Sequence, residues 1–502
     1  MAFIKNRKIQ DSIFLANDLV KNIHSKTRGN INVLKADLRK AFDSVHRPYI
    51  YDLMKKMGFP LKFINWIKVC LEASKFSILF NGSPMGFFKS SNGIRQGDPL
   101  SPYLFVIAME GLSVLMKDKR DSGHIRVPGS NGVYISHIIF ADDLIIFMKD
   151  DLDTIRAIAD IIQIFGSFSG LQLNCDKSKV YIGAKSSYKR AIPSILKVHE
   201  SSLPVKYLGL PLFSKALKVV YCQHLVEKVR KRISNWRSNL LSKAGRLELI
   251  RSILFSYSIY WSSAFTLPQL TIHDIEAQLS NFFWSGSGED KSFHMISWKT
   301  ICKPKDEGGL GIRRIGDWHK ACVLAQLWDI LQKRKSLWVD WVYASYLAKT
   351  SIWVKIRRSY DSWTWKHILD CRDILRQHIR YTVGDGSGFS FLYDPWLHNG
   401  KSIYELVGDR VRLVMGIPHD TRLLHYIHAG HWILPTPTST EMLTIWPIIH
   451  NTPIALIRDS IYWKHNNGVW NVRNAWEATR EAGPKVGWYQ MAWNSPTIHK
   501  YS

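Results

Sequence analysis

Cysteine is scarce. The six residues Cys70, Cys175, Cys222, Cys302, Cys322 and Cys371 are scattered along 502 positions, with no Cys-x-x-Cys pair. That argues against a disulfide framework and against a zinc ribbon, and it points to a reducing compartment, nucleus or cytoplasm. Long apolar runs are also missing. The best candidate, Ser252 to Leu267, is interrupted by Ser256, Ser258, Ser262 and Ser263 and is too short to span a bilayer. The first residues, Met1 to Lys8, contain no signal-peptide core. There is no repeat of 20–50 residues and no low-complexity tract. Tryptophan is nearly absent from the first half: Trp66 precedes residue 236 and the other nineteen follow, which implies two architectures in one chain. Acidic residues are outnumbered, 41 against 68 basic, giving a net charge of +27 and a pI near 9.7. With 46% apolar residues the chain is globular. So basic a globular chain calls for a polyanionic partner, nucleic acid before an anionic membrane.

The length leaves room for two to four domains. Residues 2–28 carry apolar positions at helical spacing, with Asp11 as a candidate N-cap and Arg7 just ahead, either a solvated cation or a phosphate contact. Ile31 to Ala36 reads as a strand that delivers Asp37 to its C-terminal end. Asp43, six residues on, reads as the cap of the following helix. Pro48 to Ser74 is helical, broken at Gly58-Phe59-Pro60, and Phe76 to Phe88 is a hairpin turning at Asn81-Gly82-Ser83-Pro84. Gly93 to Pro102 is a stiff loop leading into a helix over Tyr103–Met116. Gln96 in it can hydrogen-bond a base or sugar, and Gly97 permits close backbone approach; the plainer reading is a helix start capped by Asp98.

Ile138-Ile139-Phe140-Ala141-Asp142-Asp143-Leu144-Ile145-Ile146-Phe147 is the central stretch. Two apolar strands flank an Ala-Asp-Asp turn. By itself it is either an acidic turn between core strands or a place where carboxylates meet Mg²⁺, which takes one or two of them and leaves its other positions to phosphate and water. A helix over Leu152–Ser169 follows, then Gly170 to Lys179, whose Lys177 and Lys179 are surface charges or phosphate contacts. Val205 to Leu212 reads as a short hairpin around Gly209. From Val226 a helical stretch is studded with Lys231, Arg232, Arg237, Lys243 and Arg246 among apolar residues, a pattern that suits a duplex backbone. Residues 317–347 are helical and Trp-rich. Val383 to Trp396 is a glycine-rich turn between short strands, and with no Gly-Lys-Ser/Thr after it a P-loop is rejected.

Asp37…Lys40-Ala41-Phe42-Asp43, then Arg95-Gln96-Gly97-Asp98-Pro99-Leu100-Ser101-Pro102, then Phe140-Ala141-Asp142-Asp143, in this order and spacing, resemble the reverse transcriptase of LINE-type, non-LTR retrotransposons of plants. The resemblance is strong over residues 1–215. It extends through Ser242-Lys243-Ala244-Gly245-Arg246 and Gly308-Gly309-Leu310-Gly311.

It implies an α+β chain: a right-hand polymerase palm with partial fingers over 1–215, a helical thumb and basic segment over 216–320, and a Trp-rich mixed α/β region over 321–502. It implies RNA-directed DNA synthesis with RNA template, DNA primer, deoxynucleoside triphosphates and no membrane. Two Mg²⁺ ions, or Mn²⁺, would be held by Asp37 and Asp142. Asp143 would be secondary, because successive strand side chains point to opposite faces. Phe42 is similar to a steric gate against the 2′-hydroxyl. Gln96 and Gly97 would line the nucleotide pocket, Arg7 would reach the triphosphate, Lys177 would serve departing pyrophosphate, and Tyr207-Leu208-Gly209 would grip the primer. Beginning inside the fingers, the chain is expected to be a truncated copy. The competing expectation is a catalytically inactive nucleic-acid-binding remnant. A group II intron maturase shares the acid hairpin but not the Trp-rich second half.

Overall fold

The structure, a computed structural model, describes residues 3–24, 30–213, 217–236, 241–286, 294–348, 350–408, 416–418, 420–455, 457–465 and 468–494. It divides into two compact units, 1–215 with 336–341, and 216–335 with 342–502. Helices and strands are mixed in both.

In the first unit the chain runs α1 (Ile9–Val20), β1 (Ile31–Ala36), α2 (Ala41–Ser44), α3 (Arg47–Lys56), α4 (Leu61–Glu72), β2 (Lys75–Phe80), β3 (Ser83–Lys89) and α5 (Ser101–Asp121). It continues β4 (Gly129–Ser130), β5 (Val133–Tyr134), β6 (His137–Phe140), β7 (Asp143–Lys149), α6 (Leu152–Ser169), β8 (Lys179–Tyr181), α7 (Ala191–Leu196), β9 (His199–Glu200), β10 (Val205–Tyr207) and β11 (Leu210–Leu212). The central sheet has the order β6-β7-β1-β8-β9, antiparallel except for β8–β9. One face, Leu34, Ala36, Leu144, Ile146 and Met148, is buried with Ile50 and Met54 of α3, Leu104 to Met116 of α5 and Ile155 to Phe165 of α6. Alternation sends Val33, Ile145 and Phe147 to the other face, where they too are fully buried. Period-2 strands between 3.6-period helices therefore close a core on both sides of β1 and β7.

Helix α1 is buried almost all round, polar residues included. Residues 336–341 supply the cover. Trp338 packs on Phe14 at 5.6 Å, and the Trp341 indole N–H donates to Asp18 at 2.7 Å, whose other oxygen accepts from Lys21 at 2.7 Å. Two of the late tryptophans thus belong to the first unit. Asp11 is not the N-cap; Lys8 holds that place without a side-chain bond, and Asp11 lies buried in the first turn, where a carboxylate still suits the helix dipole. Asp43 does not cap α3 either. It lies inside α2, and His46 precedes α3.

The second unit opens with α8 (Val219–Ser234) and a longer helix in two parts, α9 (Lys243–Leu249) and α10 (Phe255–Ala264), joined by a π-helical turn at Ile250–Leu254. The serine-interrupted apolar stretch is thus helical, with Ser258, Ser262 and Ser263 buried. Helix α11 (Gln269–Ser285) packs on α8. Among the described residues no helix is long and apolar enough to cross a membrane. Further on, the strand Ile379–Thr382 pairs antiparallel with Ser460–Trp463.

The glycine-rich loop that follows Thr382 wraps a carboxylate. Asp459 accepts from the Gly384 and Gly386 N–H groups at 2.7 and 3.1 Å on one oxygen and from Gly388 at 2.8 Å on the other. A side chain at Gly384 would strike the Ile457 carbonyl, and Gly386 sits at φ 72° against the Leu424 backbone. The glycines serve an internal anion nest.

Candidate active site

β1 ends at Ala36, so Asp37 emerges at its C-terminal edge. β6 and β7 close as a two-residue hairpin: Phe140 pairs with Asp143, and Ala141 and Asp142 form the tip. Ala141 takes a left-handed φ of 53°, a conformation the first position of such a turn can require and that alanine adopts at some cost. β1 and β7 are antiparallel, with Lys35 opposite Ile145 and Ala36 opposite Leu144. The pairing ends there, with Asp37 next after Ala36 and Asp143 next before Leu144, so both lie at the same edge of the sheet, while Asp142 is exposed at the tip.

Lys35 Nζ lies 3.5 Å from Asp143 Oδ1, both half-buried. Burial raises the Asp143 carboxyl above its ordinary range. Lys35 opposes this, Asp142 pushes the same way as burial, and the Leu208 N–H donates to the carboxylate and lowers it again. Among the described residues no group of three or more His, Cys, Asp or Glu side chains is gathered into a metal cage. The donor set instead fits a hard cation bound through one or two carboxylates at an open edge, with phosphate and water completing it, and the repulsion between neighbouring carboxylates is what such a cation relieves.

The remaining motifs are stitched to this edge by backbone. The Asp37 N–H donates to Ser178 Oγ at 2.9 Å, and its carbonyl accepts from the Asn174 N–H at 2.8 Å. The loop carrying Lys177 is thus fixed against Asp37, with Lys177 itself exposed. Beyond Asp37 the chain turns through Lys40 at φ 44° into α2. Phe42 is half-buried, its ring stacked on Phe105 at 4.9 Å and 15°. The Phe42 carbonyl accepts from the Ile94 N–H at 2.8 Å and the Val45 carbonyl from Gly93 at 2.9 Å. Gly93 is so close to Asp43 that a Cβ would sit 2.6 Å from the Asp43 carbonyl oxygen.

Arg47 secures the same loop. Although buried, it donates to Gly93 O at 2.9 Å, Ser90 O at 2.8 Å, Ser90 Oγ at 2.5 Å and Asn92 O at 3.3 Å. Gln96 and Asp43 line one cavity of about 480 Å³ with Arg95, whose guanidinium bonds Ser74 and lies over Phe76. Gly97, at φ 86°, is exposed. Asp98 accepts from the Leu100 N–H at 2.9 Å in the turn ahead of α5, but it is not the cap expected of it: Leu100 holds the N-cap, without a side-chain bond.

Arg7 is exposed and lines a smaller cavity with Glu110, Lys117, His137 and Ala141, a different one from that of Gln96 and Asp43. Tyr207 is fully buried, and the tip of the β10–β11 hairpin is Leu208-Gly209, both left-handed at φ 50° and 75°. Leu208 is half-buried and Gly209 exposed, and the Leu208 N–H is the donor to Asp143.

In the second unit Lys231, Arg232 and Lys243 are exposed, Arg232 over Trp236 and Lys243 4.8 Å from the Trp284 ring centre. Arg246 is half-buried and donates to the Phe283 and Trp284 carbonyls at the end of α11, an internal capping role. Arg237 lies outside the described residues.

Lys35, Arg47, Asn174 and Ser178 join the site although no motif singles them out. Lys35 has a signal in the sequence, since it stands two residues before Asp37 on the same face of a strand. Arg47 has none, because a basic residue beside a helix start reads as surface.

Residues 1–212 match the family model described as reverse transcriptase (RNA-dependent DNA polymerase). An Arabidopsis thaliana protein named for ribonuclease H is 29% identical over 282 residues, 53% of this chain and 44% of that protein. The 149 kDa protein of transposon TX1 of Xenopus laevis is 26% identical over 62% of this chain and 23% of its own length. The Pol polyprotein of the type-2 retrotransposable element R2DM of Drosophila melanogaster is 29% identical over 38% of this chain and 18% of its own. The chain spans less than half the length of each of these relatives. Among solved structures, telomerase from Candida tropicalis aligns over 67% of this chain and 52% of its own at 16% identity, with a TM-score of 0.32, too low to support a structural conclusion.

Proposed function

Because residues 1–212 match the reverse transcriptase family model and the relatives include Pol polyproteins of retrotransposable elements, we propose that the chain extends a DNA primer on an RNA template as part of the polymerase of a non-LTR element. The observation that carries this reading is the meeting of Asp37 with the Asp142-Asp143 hairpin tip at one sheet edge. Residues 1–215 act as palm and fingers, 216–320 as thumb and 321–502 as a further C-terminal region.

Asp37 and Asp142 would hold the divalent ions, Mg²⁺ with Mn²⁺ able to substitute, with Asp143 in support beside Lys35. When bound, the ions supply activation of the primer 3′-hydroxyl and stabilisation of the leaving oxygen. The rest is done by the chain's own groups. Phe42, its ring held by Phe105, bars a 2′-hydroxyl and so selects deoxynucleotides. Gln96 and Gly97, on a loop tied to α2, bound the incoming nucleotide. Arg7 and Lys177 neutralise its triphosphate. The Leu208-Gly209 tip, on the buried Tyr207 anchor, steadies the primer end next to Asp143. Lys231, Arg232 and Lys243 meet duplex phosphates, a contact that weakens with salt.

Primer extension on an RNA template with Mg²⁺, comparing the intact chain with Asp142→Ala, tests the reading. Extension by the intact chain and about a thousandfold less by the variant is expected, the scale of losing a principal electrostatic contributor. Equal incorporation by the two would sink the reading. Salt-sensitive binding of RNA–DNA duplex without extension by either would favour the inactive remnant.

A further inference from the structure

The second unit contains a cavity of about 840 Å³ that none of the roles above uses. Its size is that of a small-molecule site. Two cations reach it. Lys333 donates to the Gly388 carbonyl at 3.2 Å, and Arg422 donates to the same carbonyl at 2.8 Å and to that of Ser387 at 3.5 Å. Among the described residues neither has a carboxylate within ion-pair distance. Three carboxylates share the lining without pairing to either cation: Asp459 is held by the three glycine N–H groups, Asp394 accepts from the Ser390 N–H at 2.7 Å and from Ser351 Oγ at 3.3 Å, and Asp420 stands two residues before Arg422. Partial desolvation beside the cavity wall, helped by the neighbouring Arg422 charge, lowers the pKa of the otherwise exposed Lys333. Two like charges drawn to one carbonyl, with no counter-ion in contact, make a place for an external anion.

The remaining wall is aromatic. Tyr381 and Phe389 lie 4.8 Å apart, and Tyr381 is pinned by the Trp353 indole N–H, 3.0 Å from its hydroxyl. Tyr343 and Tyr393 complete that wall. Ser460 Oγ, also in the lining, is buried without a hydrogen-bond partner. Such an atom calls for a ligand or a water. Cations beside aromatic faces are how proteins take a phosphorylated base without reading its identity.

We propose that this cavity binds a phosphorylated nucleoside, with Lys333 and Arg422 on the phosphate, the base against Tyr381 and Phe389, and Ser460 bonding the base or sugar. The same chemistry has two sources, a free mononucleotide or one unstacked residue of single-stranded RNA.

Calorimetric titration of the full chain with adenosine 5′-monophosphate, ribose 5-phosphate and a short oligoadenylate tests this. The monophosphate should bind saturably, and ribose 5-phosphate about tenfold more weakly for want of a base to stack. Lys333→Gln combined with Arg422→Gln should weaken the monophosphate at least about tenfold while melting as the unaltered chain does, both side chains being exposed. Ser460→Ala should weaken it less. Tighter binding of the oligoadenylate than of the monophosphate identifies strand RNA as the source; the reverse identifies the free nucleotide. No saturable binding, ribose 5-phosphate matching the monophosphate, or unchanged affinity in the double variant overturns the proposal. The polymerase reading is separate: extension by the double variant should equal that of the unaltered chain.

Discussion

Asp459→Ala is the sharpest test of how the second unit holds together. The carboxylate collects three backbone N–H groups at 2.7, 3.1 and 2.8 Å, from glycines of which Gly384 and Gly386 are buried. Leaving a buried donor unsatisfied costs roughly 1–3 kcal/mol. Three would reach about 9 kcal/mol if all stayed dry, but Gly388 is only half-buried and water can reach part of the nest. A loss of about 3 kcal/mol is therefore expected, which for a unit of this size lowers the melting temperature by roughly 5 °C. Asp459→Asn keeps one acceptor oxygen for Gly384 and Gly386 but turns an amide N–H₂ toward Gly388, so it should fall between. Thermal unfolding followed by tryptophan fluorescence reads mainly this unit, since nineteen of the twenty tryptophans follow residue 235 and only Trp338 and Trp341 of those belong to the first. A small anion should partly restore the alanine variant by re-entering the nest. A melting temperature within about 1 °C of the unaltered chain, or no response to sulfate, would refute the nest as a stabilising device.

Phe42→Ala should relax discrimination against ribonucleotides by about tenfold or more in single-nucleotide extension; unchanged selectivity would reduce the ring to its packing on Phe105. Burial pulls His319 down to about 4 and His137 to about 4 from the ordinary 6.5. Because the folded rings resist protonation, the stability they allow is present above pH 6.5 and is lost as pH falls toward 4. The loss is about 3 kcal/mol per ring. His319→Gln should flatten that acid slope in denaturant titrations at pH 7 and 4.5, and an equal loss with and without the ring would contradict it. Glu307 is buried between the Arg480 guanidinium and the Gly483 N–H, 2.8 Å away, and its contact with Arg480 holds its pKa low. Glu307→Ala should cost roughly 3–5 kcal/mol by stranding Arg480, against a much smaller cost for Arg473→Ala in an exposed pair; similar urea midpoints for the two would be the wrong result.

Elements with a strong local signal are legible in the sequence itself. The helix expected over Leu152–Ser169 is α6 residue for residue, because its apolar period is clean and Asp151 caps it. The Asn81-Gly82 hairpin and the break at Gly58 to Pro60 stand where turn chemistry puts them. Asp11 and Asp43 look like caps and are not, because an acid near a helix start fits both a cap and a first turn, and only backbone dihedrals separate the two. Arg246 looks like a surface cation in a basic run; its partners are carbonyls of α11, thirty-seven residues away, and no periodicity reports a contact that distant. Tryptophan density suggests a boundary near 236, yet Trp338 and Trp341 return to cover α1. The glycines around Gly386 read as a turn, and a turn is what they form. That the turn cradles a carboxylate is hidden, because Asp459 lies too far along the chain to be paired with them by spacing.

The hairpin tips carry the last step. Leu208 is held left-handed at φ 50° although it is not glycine, which costs of order 1 kcal/mol. Its N–H is also the one that meets Asp143. A glycine at 208 would remove the strain but leave the tip free to move. If the Leu208 conformation exists to aim that N–H, Leu208→Gly should leave stability nearly unchanged and still slow primer extension. If the strain is incidental to a tight turn, Leu208→Gly should extend primers as fast as the unaltered chain. Extension rate separates the two, and an unchanged or raised melting temperature shows that a slower rate does not come from unfolding.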